Sequence, residues 1–267
     1  MRPAMTSLGE AARAVLLTPD PQDKRRGARA LARAWRRGDL DHRCDVAMPG
    51  RPAWPAAPEL LPPSRMPRRR KGGSERGRIA MIHALAHIEF VAIDLAVDLI
   101  GRFGDQFPRA FVDDWIAVAA DEAMHFALLD RRLRALGSHY GAMPAHAGLW
   151  EAAEATADDA LARLAIVPMV LEARGLDVTP ATIERFRAVG DDASARILER
   201  IYTDEIRHVS AGTTWFGWLC DKRGFEPPAT WQALVKSRFR GSVKPPFNDS
   251  ARHDAGLTQE FYAVIAS

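Results

Sequence analysis

Asp121-Glu122-Ala123-Met124-His125 and Asp204-Glu205-Ile206-Arg207-His208 repeat one pattern, Asp-Glu-x-x-His, 83 residues apart in the chain. A pentapeptide of this specificity arises by chance in roughly one chain in fifty of this size, so two copies, each inside a helical pattern, exceed accident. On a helix, residues three apart share a face about one turn apart, so the Glu and His of each copy can ligate the same metal centre.

Two such motifs carry too few oxygen donors for a pair of metals bridged by carboxylates. Other helices must supply them. Glu89 lies in an apolar run 33 residues before Glu122, and Glu172 lies 33 residues before Glu205. One Glu from each of two helices, joined to a Glu-x-x-His from each of two others, is the ligand set of dinuclear carboxylate bundles. The expected metal ligands are therefore Glu89, Glu122, His125, Glu172, Glu205 and His208. Buried glutamates without a partner cost several kcal/mol each, roughly, so a convergent set of six groups calls for a cation. Asp121 and Asp204 are expected to orient histidine ligands by accepting their distal N–H. Tyr202, three residues before Glu205, falls on the ligand face, where it could bond a bound oxygen species or pass an electron, or simply pack. His83 and His87 sit well around the helix from Glu89 and are expected to make core or interhelix hydrogen bonds. His139, His146 and Trp150 are candidates to gate the site.

The helical pattern extends outward from these motifs, and no strand-like alternation accompanies it, so the class is all-α. The first long helix is expected from about Ser74 to Gly101, and the second from Pro108 to near Gly137. A third opens at Thr156 with Asp159 in capping-box position, kinks at Pro168 and ends near Gly175. Thr179-Pro180 starts a short helix that breaks at Gly190 and returns the chain along the bundle; a fourth long helix runs from about Asp191 to Lys222. The 50 residues from Glu122 to Glu172 suit a long crossover between two helical pairs. Four regions result. Residues 1–47 form an N-terminal helical extension with helices at 6–17 and 22–37; residues 48–73 form a Pro/Arg-rich linker; residues 74–223 form the four-helix bundle; residues 224–267 form a wrapping tail with one or two short helices.

The chain has 267 residues, 47% apolar and 27% charged, enough to bury a core without disulfides. Cys44 and Cys220 have no metal-site or redox spacing. No long apolar run resembles a secretory signal, so a cytoplasmic protein is expected. Ile79 to Ile100 imitates a membrane span, but His83, His87, Glu89, Asp94 and Asp98 argue for a buried helix and no membrane partner. Charge is lopsided: residues 1–78 hold 18 Lys/Arg against 8 Asp/Glu, and residues 79–267 hold 19 against 26. The basic helix with Lys24, Arg25, Arg26, Arg29, Arg33, Arg36 and Arg37, and the run Arg68-Arg69-Arg70-Lys71, admit RNA as a partner. Without interleaved aromatics, a solvated face is favoured.

From about residue 79 the chain resembles the ferritin-like superfamily and, within it, a bacterial family known as a domain of unknown function, DUF455. The resemblance is carried by Ala86-His87-Ile88-Glu89, Asp121-Glu122-x-x-His125-Phe126, and Tyr140-Gly141-x-x-Pro144-x-His146-x-Gly148-Leu149-Trp150. It continues in the run from Val167 to Asp177, in Tyr202-x-Asp204-Glu205-x-x-His208-Val209, and in Lys244-Pro245-Pro246-Phe247-Asn248. It implies a ferritin-like four-helix bundle and a dinuclear iron site on the same six ligands. More distantly, the chain is similar to the ferritin-like tRNA hydroxylases, a likeness of fold and ligand pattern that does not decide function.

The leading expectation is an oxygen-activating di-iron oxidoreductase, a hydroxylase or oxidase, with dioxygen and a further substrate as reactants. Iron comes first, and manganese or a mixed pair suits the same donors. No flavin or nicotinamide fingerprint is present, so electrons must come from a separate donor protein. The alternatives are a ferroxidase or iron store and a manganese-dependent peroxide-disproportionating enzyme. The extra segments around the bundle make a storage cage awkward and favour a monomer or small homo-oligomer.

Overall fold

The computed structural model describes residues 6–66 and 74–266, and its regular structure is almost wholly helical, so the chain is all-α. The run Arg68-Arg69-Arg70-Lys71 lies outside the described residues. The chain packs as two compact units, Met1–Trp150 and Glu151–Ser267.

The first unit begins with two capped helices. Ser7 and Glu10 form a reciprocal capping box on α1 (Leu8–Leu16), while Asp20 and Pro21 start α2 (Pro21–Arg37), which stops where Gly38 turns left-handed at φ 74°. Helix α2 buries Lys24, Ala28, Leu31, Ala32 and Trp35 and exposes Arg26, Arg29, Arg33, Arg36 and Arg37. Lys24 therefore leaves the basic face to which its charge assigned it. Its Nζ lies 2.5 Å from Asp94 Oδ1 and 3.0 Å from the Ala53 carbonyl, and the Trp54 indole donates to the other Asp94 oxygen at 2.7 Å. Burial lowers the Lys24 pKa and raises that of Asp94 to about 6, each against the pull of its partner.

Ser74 caps α3 (Glu75–Phe103), and Pro108 precedes α4 (Arg109–Ala135). Helix α3 is long and apolar enough to cross a membrane, yet 67% of its most apolar window is buried within the protein. Two short pairings interrupt the helical pattern: β1 (Thr6–Ser7) runs parallel to β2 (Leu40–Asp41), and Leu60 bridges Ala145. Segments this short cannot display the alternation that announces a strand, which is why the sequence shows no sign of them. Past Gly137, in the left-handed conformation, the connection ends in a short α5 (Gly148–Glu154).

In the second unit the third long helix differs from expectation. It starts later, at Ala160 behind Asp159, whose carboxylate accepts from Leu161 and Ala162 N–H; Thr156 lies before it. It runs as α6 (Ala160–Ile166), passes through a π-turn (Val167–Glu172) and continues as α7 (Ala173–Arg187). Neither Gly175 nor Pro180 breaks it, and no separate helix begins at residue 180. The physical reasons are local. Pro168 falls inside the π-turn, whose wider loop takes up the ring that would clash in an α-turn. Gly175 is absent from the positive-φ glycines, so it stays helical. Pro180 deprives the Leu176 carbonyl of its donor, and the side-chain amide of Asn248 supplies one at 3.2 Å. After the turn at Gly190, α8 (Asp192–Arg223) is capped by Asp191 and closed by Gly224 at φ 68°. The tail adds α9 (Pro227–Arg238), α10 (Asp249–Asp254) and α11 (Gln259–Tyr262), more helix than the one or two expected. It is tied down by Trp231 on the Ala165 carbonyl and by a two-pronged Arg252–Asp177 ion pair at 2.8 and 2.7 Å.

Candidate metal centre

Each unit contains one helical hairpin carrying half of the expected ligands. In the first, α3 and α4 meet at a turn near Gln106; Glu89 stands 17 residues before it and Glu122 stands 16 after it, at matching heights about 25 Å from the turn. In the second, the helix through Glu172 and α8 meet near Val189, with Glu172 and Glu205 again 17 and 16 residues away. The equal intervals of 33 residues thus have a geometric meaning: each hairpin carries its two glutamates at matching heights along its helices.

Within the first unit the structure brings Glu89, Glu122 and His125 together. All three are buried, at 4%, 1% and 0% exposure, which leaves water no share in solvating their charge. His125 Nδ1 lies 3.3 Å from Glu89 Oε2 and 3.4 Å from Glu122 Oε2, and the ligating atoms all lie within 4.8 Å of one another. Burial raises the Glu89 pKa well above the usual carboxylate range, and the neighbouring Glu122 charge raises it further, against a lowering contribution from His125. Two carboxylates in so dry a site are costly as anions and become favourable once a cation sits between them. This cluster could bind a metal ion. Phe90 and Phe126, each one residue beyond a member of the cluster, pack with Tyr140 at ring centroids 5.1 to 5.6 Å apart.

Within the second unit Glu205 and His208 are buried, with His208 Nδ1 3.7 Å from Glu205 Oε1, and Glu172 is partly buried at the end of the π-turn. Pro168 of that turn packs against Gly212, which lies on the same face of α8 as Glu205 and His208. A side chain at 212 would overlap the proline ring, so the glycine sets how closely the π-turn approaches the ligand face.

Other site residues take up positions that refine their roles. His83 Nε2 accepts from Gly141 N–H at 2.9 Å, and burial together with the nearby His139 lowers its pKa to about 4. His87 bonds the Tyr140 hydroxyl at 2.9 Å and the His146 carbonyl at 3.2 Å. Both histidines are thus the core hydrogen-bonding groups expected. His146 and Trp150, candidate gates, are tied into the connection: His146 Nδ1 accepts from Gly148 N–H, and the Trp150 indole donates to the Gly50 carbonyl. Asp204 accepts from Arg200 and Arg207 of its own helix at 2.7 and 2.5 Å. Tyr202 accepts from the Asn248 amide at 2.9 Å. Asn248 escaped the reading of site residues; its only sequence signal is the string Lys244-Pro245-Pro246-Phe247-Asn248, too far from the helical motifs for spacing to connect it to them.

A protein of Haemophilus influenzae described as uncharacterized is 43% identical over 213 residues, covering 78% of this chain and 74% of its own. No solved structure matches. The family model described as protein of unknown function (DUF455) matches residues 17–263, nearly the whole length, and the chain belongs to that family.

Proposed function

We propose that this chain is a dinuclear metal carboxylate protein, in which the two hairpins close as a ferritin-like four-helix bundle and hold a pair of ions, iron in the first place. In this reading the ligands are Glu89, Glu122, His125, Glu172, Glu205 and His208. The observation that carries this reading is the buried Glu89–Glu122–His125 cluster, in which burial, and then the Glu122 charge, hold the Glu89 carboxyl well above the usual carboxylate range. Six ligands of this kind leave open positions on each ion, and the chemistry such a pair supplies is activation of dioxygen for hydroxylation or oxidation of a substrate.

In this reading four carboxylates and two imidazoles bind and orient the ions. Electrons come from a separate donor protein in this reading. The test is metal analysis of anaerobically purified protein followed by oxygen uptake. Two ions per chain in the wild type, fewer than one in Glu122→Gln, and oxygen consumption by the ferrous form are the expected results. Protein that binds no metal removes the reading. Oxygen evolution from peroxide by the manganese form, or assembly into a cage of a dozen or more subunits, would redirect it to disproportionation or storage.

A further inference from the structure

One side-chain amide in the tail touches both ligand-bearing helices of the second unit. Asn248 Nδ2 donates to the Leu176 carbonyl, four residues past Glu172, at 3.2 Å, and to the Tyr202 hydroxyl, three residues before Glu205, at 2.9 Å. Both attachment points therefore stand about one helical turn from a carboxylate. The Leu176 carbonyl is open to this bond because Pro180 has no N–H to offer it. The remaining polar groups of Asn248 are engaged as well. Its Oδ1 accepts from Ala251 N–H at 3.3 Å and from the Ser250 hydroxyl at 3.0 Å, capping α10, and its own N–H donates to Asp177 Oδ1 at 2.9 Å. The backbone around it is fixed from the other side: Arg174 donates to the Lys244 and Pro246 carbonyls at 3.0 and 2.9 Å, and Arg252 clamps Asp177.

We infer that Asn248 is a positioning residue for the metal centre, a bridge that sets the spacing between the helix of Glu172 and α8 where their carboxylates must meet the ions. The inference rests on the dinuclear reading above. A bond to each helix within one turn of a ligand limits how far either carboxylate can drift, and metal affinity depends on such outer contacts by about 10- to 100-fold.

Asn248→Ser separates this role from simple stability. Serine caps a helix about as well as asparagine, so α10 keeps its start, but the shorter side chain has no amide to reach Leu176 or Tyr202. Tyr202→Phe removes one end of the bridge and leaves the cap and the Leu176 bond intact. Full-length proteins are titrated with Co(II) against a chelator, alongside thermal unfolding without metal. The expected result is two ions bound by wild type, about tenfold weaker binding in Asn248→Ser, and a smaller loss in Tyr202→Phe. Affinity within twofold of wild type in Asn248→Ser overturns the inference even if its melting temperature falls. If that variant does not fold, unchanged affinity in Tyr202→Phe overturns it instead. A wild type that binds no Co(II) overturns the dinuclear reading and this inference with it; intact binding in both wild type and variants overturns the inference alone.

Discussion

Replacing Gly212 with alanine sets a helix-propensity gain against a steric loss, and the geometry decides between them. An added Cβ would stand 2.4 Å from Pro168 Cβ and 2.6 Å from its Cγ, whereas carbon atoms in ordinary contact are about 3.5–4.0 Å apart. A proline ring cannot rotate away, so the π-turn and α8 must part by about 1 Å. Overpacking of this kind costs about 1–3 kcal/mol. Glycine to alanine in a helix interior returns about 1 kcal/mol. Both residues are buried, which places the cost in the upper part of its range, and the net loss is about 1–2 kcal/mol. For a chain of this size that is a fall of about 3–6 °C in melting temperature. Gly217, on the same helix, has nothing within 4 Å of an added Cβ, so Gly217→Ala should gain about 0.5–1 kcal/mol instead. Urea unfolding of the two variants, with calorimetry, gives the comparison. In Pro168→Gly protein both clashing carbons are gone, and alanine at 212 should then be neutral or favourable, a coupling visible in a double-mutant cycle. The reasoning is refuted if Gly212→Ala is as stable as Gly217→Ala, or if its cost survives removal of the proline.

Gly175→Ala distinguishes a helix end from a helix interior: with open space around it and no positive φ, alanine there should stabilise by about 0.5–1 kcal/mol, whereas a left-handed cap would be destabilised. His83 has a folded pKa of about 4 against 6.5 unfolded, so its stability contribution is complete above pH 6.5 and is lost as pH falls toward 4. Between those values the wild type should lose about 1.4 kcal/mol per pH unit more than His83→Gln, as measured by urea titrations at several pH values. Lys24→Met leaves Asp94 buried without its cation and should cost about 3–5 kcal/mol at pH 8. Asp94 already titrates near 6 and would rise further without the lysine, so the same variant should lose less at pH 5, where the carboxyl takes up a proton. Adding Fe(II) or Mn(II) anaerobically should raise the melting temperature of wild type and leave that of Glu122→Gln nearly unchanged, by mass action on the folded state.

Much of the fold was legible because its signals are local. Ser74, Pro108 and Asp191 mark helix starts by chemistry confined to a few neighbouring residues, and the structure uses each of them at or within a residue of the expected boundary. The Glu-x-x-His motifs were readable for the same reason, since one helical turn fixes their geometry. What the sequence concealed depends on distant partners. Gly175 and Pro180 carry the marks of helix termination, but Asn248, 72 residues beyond Leu176, supplies the missing donor and lets the helix continue. Lys24 reads as one more charge on a basic face until Asp94, 70 residues away, draws it into the core. Asn248 itself has no periodic or motif context that would reveal its contacts.

The π-turn at Val167–Glu172 also works as a phase device. An additional residue within one turn rotates everything downstream by about 100° relative to everything upstream. Ala173, Leu176 and Ile183 keep a buried stripe downstream of that offset, while upstream of it the whole of Ala160 to Ile166 is buried, so both ends have fixed surroundings. Deleting a single residue from this stretch would give a more regular helix and yet misalign one end against the other, so shortening the chain there should be far more damaging than shortening an exposed loop.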